Sequence, residues 1–503
     1  MNVYLSVYLG SLILTLMTTP VVIWLARRLN IVDVPGVRHM HTHPTSHVGG
    51  VSIFLSTMAL YAGVLWFSNF VGTTGGPERR QLCILLFAAG FMFMAGLIDD
   101  LKTNGLQARV KFMAQIAAAV VVCAAGVRIK SVVITNSLTL NFGWFSWPLT
   151  LLWIVGITNA VNLSDGLDGL AGGICAVACG VAAVFAASTG NPAIVVLMLA
   201  LLGSITGFLF FNFNPAKVFM GDCGSMFLGF TIASSSILCF SKSFAFVGLA
   251  LPVVALGVPI FDTLFSMLRR FLERRSIFSA DRSHFHHRLI DLGLTQRQAV
   301  VAIYGVTLLT AGLGLLMIVV PKIYVLIIFF CILLLLLIVF HVVGSVRIEQ
   351  IMAAMRTRYT ITHREREERK SFEEATLHFR KAQTFDQWWQ AVSTAADKME
   401  FWTVDLPVVN RDGTSRALNW RYTGHDPVAG QEGLIQVHVP VRDRRSGSSL
   451  HLKIELYKNG SLESAGRRVA LFTRLIDEND INNLRIKGRR LEDVGGDRAP
   501  LYF

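Results

Sequence analysis

Apolar runs of about 20 residues recur through the first two thirds of this chain, and no other feature limits its fold so sharply. A run of that length, wound as a helix, crosses the hydrocarbon core of a bilayer. In lipid each such helix satisfies its own backbone hydrogen bonds. Eleven spans can be drawn: 3–25, 48–70, 81–98, 110–126, 147–162, 170–188, 192–211, 225–240, 244–267, 298–319 and 323–343. They predict an all-α polytopic membrane domain over residues 1–343. The last third is polar and charged, and is read as a charged helical linker (344–385) followed by a cytoplasmic α+β accessory domain (386–503). With 53% hydrophobic residues, the chain as a whole is excluded from the ordinary soluble class.

Lys and Arg in the short loops set the orientation, because cytoplasmic loops carry the positive excess. One side holds Arg27, Arg28, Arg38, Lys102, Arg109, Lys111, Lys217, Arg269, Arg270, Arg274, Arg275, Arg282, Arg288 and Arg297. The other holds Arg79, Arg80, Arg128, Lys130, Lys242 and Lys322. The first side is therefore expected to be cytoplasmic, with the N-terminus outside and the tail inside. No basic segment precedes the first apolar run, so that run is read as a retained span and not a cleaved leader. The net charge of +13 lies beside apolar runs, which points to anionic lipid heads and phosphorylated substrates and away from nucleic acid. All seven cysteines fall in the apolar part without metal-like spacing and are read as core.

Reactive residue types gather in the loops of the positive side. The stretch Asn159 to Gly173 (N-A-V-N-L-S-D-G-L-D-G-L-A-G-G) places Asp165, Asp168, Asn159 and Asn162 at a membrane boundary, where ionisable groups are costly and mark function. Asp99-Asp100 directly follow an apolar helix, two like charges at the unfavourable pole of its dipole, with Lys102, Arg109 and Lys111 nearby. Asp222 stands between glycines at the mouth of another span, three residues after Phe219. His284, His286, His287 and Arg288 suit phosphate binding or proton transfer. Asp33, Arg38, His39, His41 and His43 share a Pro/Gly-rich loop before Gly49-Gly50. On the other side, Ser131 to Leu140 alternates and predicts a small hairpin.

D-D, N-x-x-D-G-x-D-G-L-A, F-M-G-D-x-G-S and H-x-H-H-R occur in that order. On these motifs, residues 1–343 resemble the polyprenyl-phosphate N-acetylhexosamine-1-phosphate transferases of glycosyltransferase family 4. That family includes the bacterial phospho-N-acetylmuramoyl-pentapeptide transferase and the enzymes that start O-antigen and teichoic acid linkage units. H-F-H-H in place of three consecutive histidines looks more like the GlcNAc branch. The resemblance implies transfer of a sugar 1-phosphate from a UDP-sugar to undecaprenyl phosphate, with Mg²⁺ (or Mn²⁺ in its place) as cofactor, at the cytoplasmic face of a bacterial inner membrane. By the same resemblance Asn162 and Asp222 would hold the metal, and Asp99, Asp100, Asp165 and Asp168 would form the catalytic set, Asp99 or Asp100 serving as base. Phe219 would stack on uracil, Lys111 and Asn212 would touch substrate, and His284, His286, His287 and Arg288 would read phosphate and sugar. One departure is Arg38-His39 and His47, where members of the family often carry Arg-Lys and a further Arg. It predicts lipid-phosphate binding that weakens as pH rises through the imidazole range.

Residues 345–503 lie outside the resemblance. A helix rich in alternating charge (347–381), two strands (434–441 and 450–457) and a covering helix (464–477) are expected there, with regulation or docking of a downstream glycosyltransferase as the role. Dimerisation is an expectation with no residue assigned to it. The alternative function is an ion- or proton-coupled transporter, since intramembrane carboxylates also line ion paths. A carrier, however, places them near the midplane, whereas here they collect at the ends of spans.

Overall fold

The computed structural model describes residues 2–31, 45–67, 76–102, 105–133, 139–240, 245–272, 284–344, 348–409, 415–423, 434–442, 449–457, 462–479, 485–486 and 489–490. Asp33, Arg38, His39, His41 and His43 lie outside the described residues, as do 273–283. The chain forms two compact units, Met1–Met352 and Ala353–Phe503.

The first unit is helical. Its elements are α1 (Asn2–Arg28), α2 (Gly50–Phe67), α3 (Gly76–Leu101), α4 (Ala108–Ala124), α5 (Ser146–Ser164), α6 (Leu170–Ser188), α7 (Pro192–Asn212), α8 (Gly221–Phe240), α9 (Ala245–Ala255), α10 (Gly257–Leu272), α11 (Phe285–Asp291), α12 (Gln296–Leu316) and α13 (Lys322–Val342). Among the described residues, eight helices are long and apolar enough to cross a membrane: α1, α3, α5, α6, α7, α8, α12 and α13. The chain is a polytopic, mainly helical membrane protein. The run expected as one span at 244–267 is two helices. Pro259 has no N–H to offer the Ala255 carbonyl, so one rung is missing and the helix is interrupted at Leu256, although the Leu256 N–H still reaches the Pro252 carbonyl and the Ile260 N–H the Leu256 carbonyl.

Helix α8 is the axis: 94% of its most apolar stretch is buried in the protein, against 22% for α13 and 28% for α1. Its small residues let neighbours approach at backbone distance. A Cβ on Gly96 of α3 would stand 2.5 Å from the Asp222 carbonyl of α8, so only glycine allows this crossing. Helices α1, α2 and α7 are joined by buried hydroxyls: Ser11 to Ser204 (2.8 Å), Thr57 to Ser204 (2.9 Å) and Thr19 to Ser52 (3.0 Å). In lipid, where apolar burial between helices counts for little, such bonds contribute roughly 0.6 kcal/mol each. Ser131–Val133 and Thr139–Asn141 pair as a short antiparallel hairpin, β1–β2.

The second unit is α+β. Strands β3 (Phe401–Val409), β4 (Ser415–Arg421), β5 (Leu434–Arg442) and β6 (Ser449–Tyr457) form one antiparallel sheet in the order β4-β3-β6-β5. Helices α15 (Phe385–Lys398) and α16 (Leu462–Glu478), with the end of α14 (Ile348–Lys381), supply Phe379, Trp388, Val392, Phe472 and Leu475 to a core shared with Phe401, Leu406, Leu452 and Ile454.

Candidate active site

Asp99 and Asp100 occupy the last turn of α3, Asp222 is the second residue of α8, Lys111 lies in the first turn of α4 and Asn162 in the last turn of α5. The like-charged pair at the end of α3 is resolved by divergence. Asp100 turns to the start of α8 and accepts the backbone N–H groups of Asp222 and Cys223, both at 2.9 Å. It thus leaves the negative pole of its own helix for the positive pole of another. Asp99 instead accepts the Leu106 N–H and the Lys111 ammonium, the latter at 3.2 Å. Lys111 also donates to Asp222 at 2.7 Å, bridging two carboxylates. Gly221, at φ +75°, makes the turn into α8: a Cβ there would meet the His47 carbonyl at 1.9 Å and Asp100 at 2.6 Å. The His47 ring Nε2 lies 2.6 Å from the Asp100 carbonyl, which brings this departure from the family pattern to the edge of the site.

Oxygen ligands of Asp99, Asp100 and Asp222 lie within 4.8 Å of one another. Three carboxylates against one ammonium leave an excess of negative charge on hard oxygen donors. That donor set fits Mg²⁺ or Mn²⁺. Of the two ligands expected for the metal, Asp222 belongs to this cluster. Asn162 is a neighbour whose amide donates to Asp222 at 3.0 Å and to Ser225 at 2.8 Å.

The turn between α5 and α6 carries the other two aspartates. Asp165 accepts no hydrogen bond from a described residue. Burial, then the charges of Asp222, Asp100 and Asp168, push its carboxyl up to about 7. Asp168 is spent on structure: one oxygen accepts Asn214 Nδ2 at 2.9 Å and the Ala216 N–H at 3.1 Å. Asn214 in turn donates to Gln296 at 2.9 Å and accepts Arg297 at its carbonyl, at 3.0 Å. Asn212, expected to touch substrate, is 2% exposed, and both ends of its amide are used by backbone, the Gly169 N–H at 3.0 Å and the Val218 carbonyl at 2.8 Å. Phe219 is half-buried on a segment pinned by its N–H to Ser46 and by its carbonyl to Gly49.

The histidines arrive at the start of α11, His284 just before its first residue and His286 and His287 within it. A Cβ on Gly166 would stand 2.5 Å from His286 Nε2, which sets that ring against the Asp165–Asp168 turn. Burial pulls the His286 imidazole down to about 4; Asp262 opposes this, and His287 and His284 add to it. His284 and His286 stack at 5.8 Å between centroids, and His286 meets His287 at 4.4 Å. Arg288 follows in the same helix with a buried Nε. Two residues of this architecture escape sequence reasoning. Asp262 binds His284, and Tyr304 of α12 donates to the Gly169 carbonyl at 2.5 Å. The only sign of Asp262 in the sequence is a lone carboxylate within an apolar run; Tyr304 gives none.

Residues 82–240 match the profile described as glycosyl transferase family 4. Over 299 residues the chain is 40% identical to the "Probable undecaprenyl-phosphate N-acetylglucosaminyl 1-phosphate transferase" of Bacillus subtilis, a match spanning 59% of this chain and 80% of the relative. The chain belongs to glycosyl transferase family 4. Its similarity extends to the "Decaprenyl-phosphate N-acetylglucosaminephosphotransferase" of Mycobacterium leprae, 36% identical over 322 residues (59% of this chain, 79% of the relative). It extends also to the "Phospho-N-acetylmuramoyl-pentapeptide-transferase" of Halalkalibacterium halodurans, 32% identical over 331 residues (62% and 97%). The matched stretch runs from Leu82, within α3, to the end of α8, so the cluster of carboxylates lies wholly inside it. As a member of glycosyl transferase family 4 the chain is a multi-pass membrane transferase.

Proposed function

We propose that this chain transfers N-acetylglucosamine 1-phosphate from UDP-GlcNAc to undecaprenyl phosphate, releasing UMP, at the cytoplasmic face of the inner membrane. The convergence of Asp99, Asp100 and Asp222 within 4.8 Å carries the reading. It supplies what two anionic substrates need where a membrane lipid and a soluble nucleotide meet. The relatives named for GlcNAc transfer, at 40% and 36% identity, favour this sugar, and nothing in the comparisons favours a transporter.

In the reaction an oxygen of the lipid phosphate attacks the phosphorus that bears the sugar. The bond from that phosphorus to the oxygen of the uridine-linked phosphate breaks, and the electron pair leaves with UMP. Bound Mg²⁺, held by Asp99, Asp100 and Asp222, would screen the pyrophosphate and the charge that develops on it. Lys111 holds two of these carboxylates in register and offers its ammonium to phosphate oxygens. Asp165, with neither oxygen engaged by a described residue and its proton affinity raised by burial and the neighbouring carboxylates, is suited in its ionised form to take the proton of a monoprotonated lipid phosphate. His286, set against the same turn, and its neighbours His284, His287 and Arg288 would contact the donor sugar and its phosphate. The second unit is read as a regulatory or docking module for the next glycosyltransferase.

The test is UMP release by the purified full-length protein in nanodiscs, given undecaprenyl phosphate, Mg²⁺ and a panel of UDP-sugars. Turnover should be highest with UDP-GlcNAc, and Asp222→Ala and Asp99→Asn should each lower it by at least about 100-fold. Undiminished turnover in both variants would refute the site; a different preferred sugar would refute the donor.

A further inference from the structure

Asp262 stands on α10, in an apolar run, and belongs to none of the loop motifs. It is 8% exposed, and both of its oxygens are occupied by the histidine segment. One lies 2.9 Å from His284 Nδ1; the other accepts the Phe285 N–H at 2.8 Å. A buried carboxylate of this kind accepts and cannot donate, so the proton between it and His284 sits on Nδ1. In the neutral imidazole Nε2 of His284 is then the nitrogen that carries the lone pair. The second contact fixes the backbone at the first residue of α11, the helix that sets His286 against Gly166. One side chain thereby determines both the tautomer of the first histidine and the seat of the second.

We infer that Asp262 is a positioning residue for the transfer reaction, acting through His284: it holds the Nδ1–H tautomer and leaves Nε2 to accept a hydrogen bond or a proton from substrate. The inference rests on the proposed phosphosugar transfer for its kinetic consequence, though not for its structural one. If Nε2 takes up a proton, Asp262 stabilises the resulting imidazolium, as a buried carboxylate behind a catalytic histidine does. Asn at this position is the informative change. Its Oδ1 can still accept the Phe285 N–H and keep α11 in place. Its NH₂ then faces Nδ1 and drives the imidazole proton to Nε2, where it blocks acceptance.

The experiment uses the full-length protein in lipid bilayers. Asp262→Asn should lower kcat for UMP release by about 100-fold, the size of a lost acid–base or orienting contribution. KM for UDP-GlcNAc should stay within about threefold and the melting temperature should not move. His284→Gln should show a similar loss, and the double variant should lose no more than His284→Gln alone, because two residues acting as one unit are not additive. Solid-state ¹⁵N NMR, with the His284 signals assigned by their absence in His284→Gln, should show protonated Nδ1 in the wild type and protonated Nε2 in Asp262→Asn. Wild-type kcat in Asp262→Asn, multiplicative losses in the double variant, or protonated Nε2 in the wild type would each overturn the inference. Wild-type protein inactive with every UDP-sugar would count against the proposed function, and the NMR measurement would still decide the tautomer.

Discussion

Asp99 and Asp100 are neighbours in sequence and differ in what they do. Asp100 is committed to two backbone N–H groups of α8, so Asp100→Asn, which loses the charge and turns an amide toward one donor, should cost about 1–2 kcal/mol of stability as well as activity. Asp99→Asn should cost activity alone; melting temperature and UMP release measured side by side on both variants check the contrast. The imidazole of His286 predicts an acid limb. Its folded value of about 4 lies below the ordinary value, so the folded state binds fewer protons than the unfolded one between them. Stability is complete above about 6.5 and falls as pH drops toward 4, by on the order of 2–3 kcal/mol. Melting curves between pH 7.5 and 4.5 should show this slope, and His286→Gln should flatten it. Residue types were legible in the sequence further than residue roles were. Asp168 and Asn212 sit in the motif loops yet brace the 213–218 turn, and no spacing rule separates a brace from a ligand.

At the scale of elements, apolar runs announced most of the helices, because lipid leaves a spanning segment few alternatives. The break between α9 and α10 was also written in the sequence, in Pro259, but an apolar run hides a joint that leaves its hydropathy unchanged. In the second unit β5 and β6 alternate cleanly and were expected. Strand β3 was hidden by an irregularity between Phe401 and Thr403, which shifts the alternation, and β4 offers only Leu418 and Trp420 on its inner side. The α3–α8 crossing gives a further prediction. Gly96→Val would force its side chain into the Asp222 backbone and part the acidic residues of the two helices. It should destabilise the protein by about 1–3 kcal/mol and abolish UMP release, whereas Gly63→Ala, which meets no atom within 4 Å, should do neither.

For the whole molecule, every side chain assembled at the site, from His47 to Tyr304, comes from the first compact unit. A chain ending at Gly344 should therefore keep UMP release within about threefold in nanodiscs, while glycan output in cells and the proteins recovered with the full chain should change if the second unit regulates or docks. Unchanged output and partners would remove that role. The first unit was legible because its fold and its chemistry are both encoded locally, in apolar lengths and loop motifs. The second unit offers no such loop motif, and a small mixed domain without a metal-binding cluster among its described residues declares its architecture more readily than its task. One consequence follows from the carboxylate of Asp100, which belongs to one helix and caps another. Sliding α3 along its axis drags the first turn of α8 with it. The acids that face a ligand, Asp99 and Asp222, thus stand on two helices that Asp100 pins to each other at the site itself.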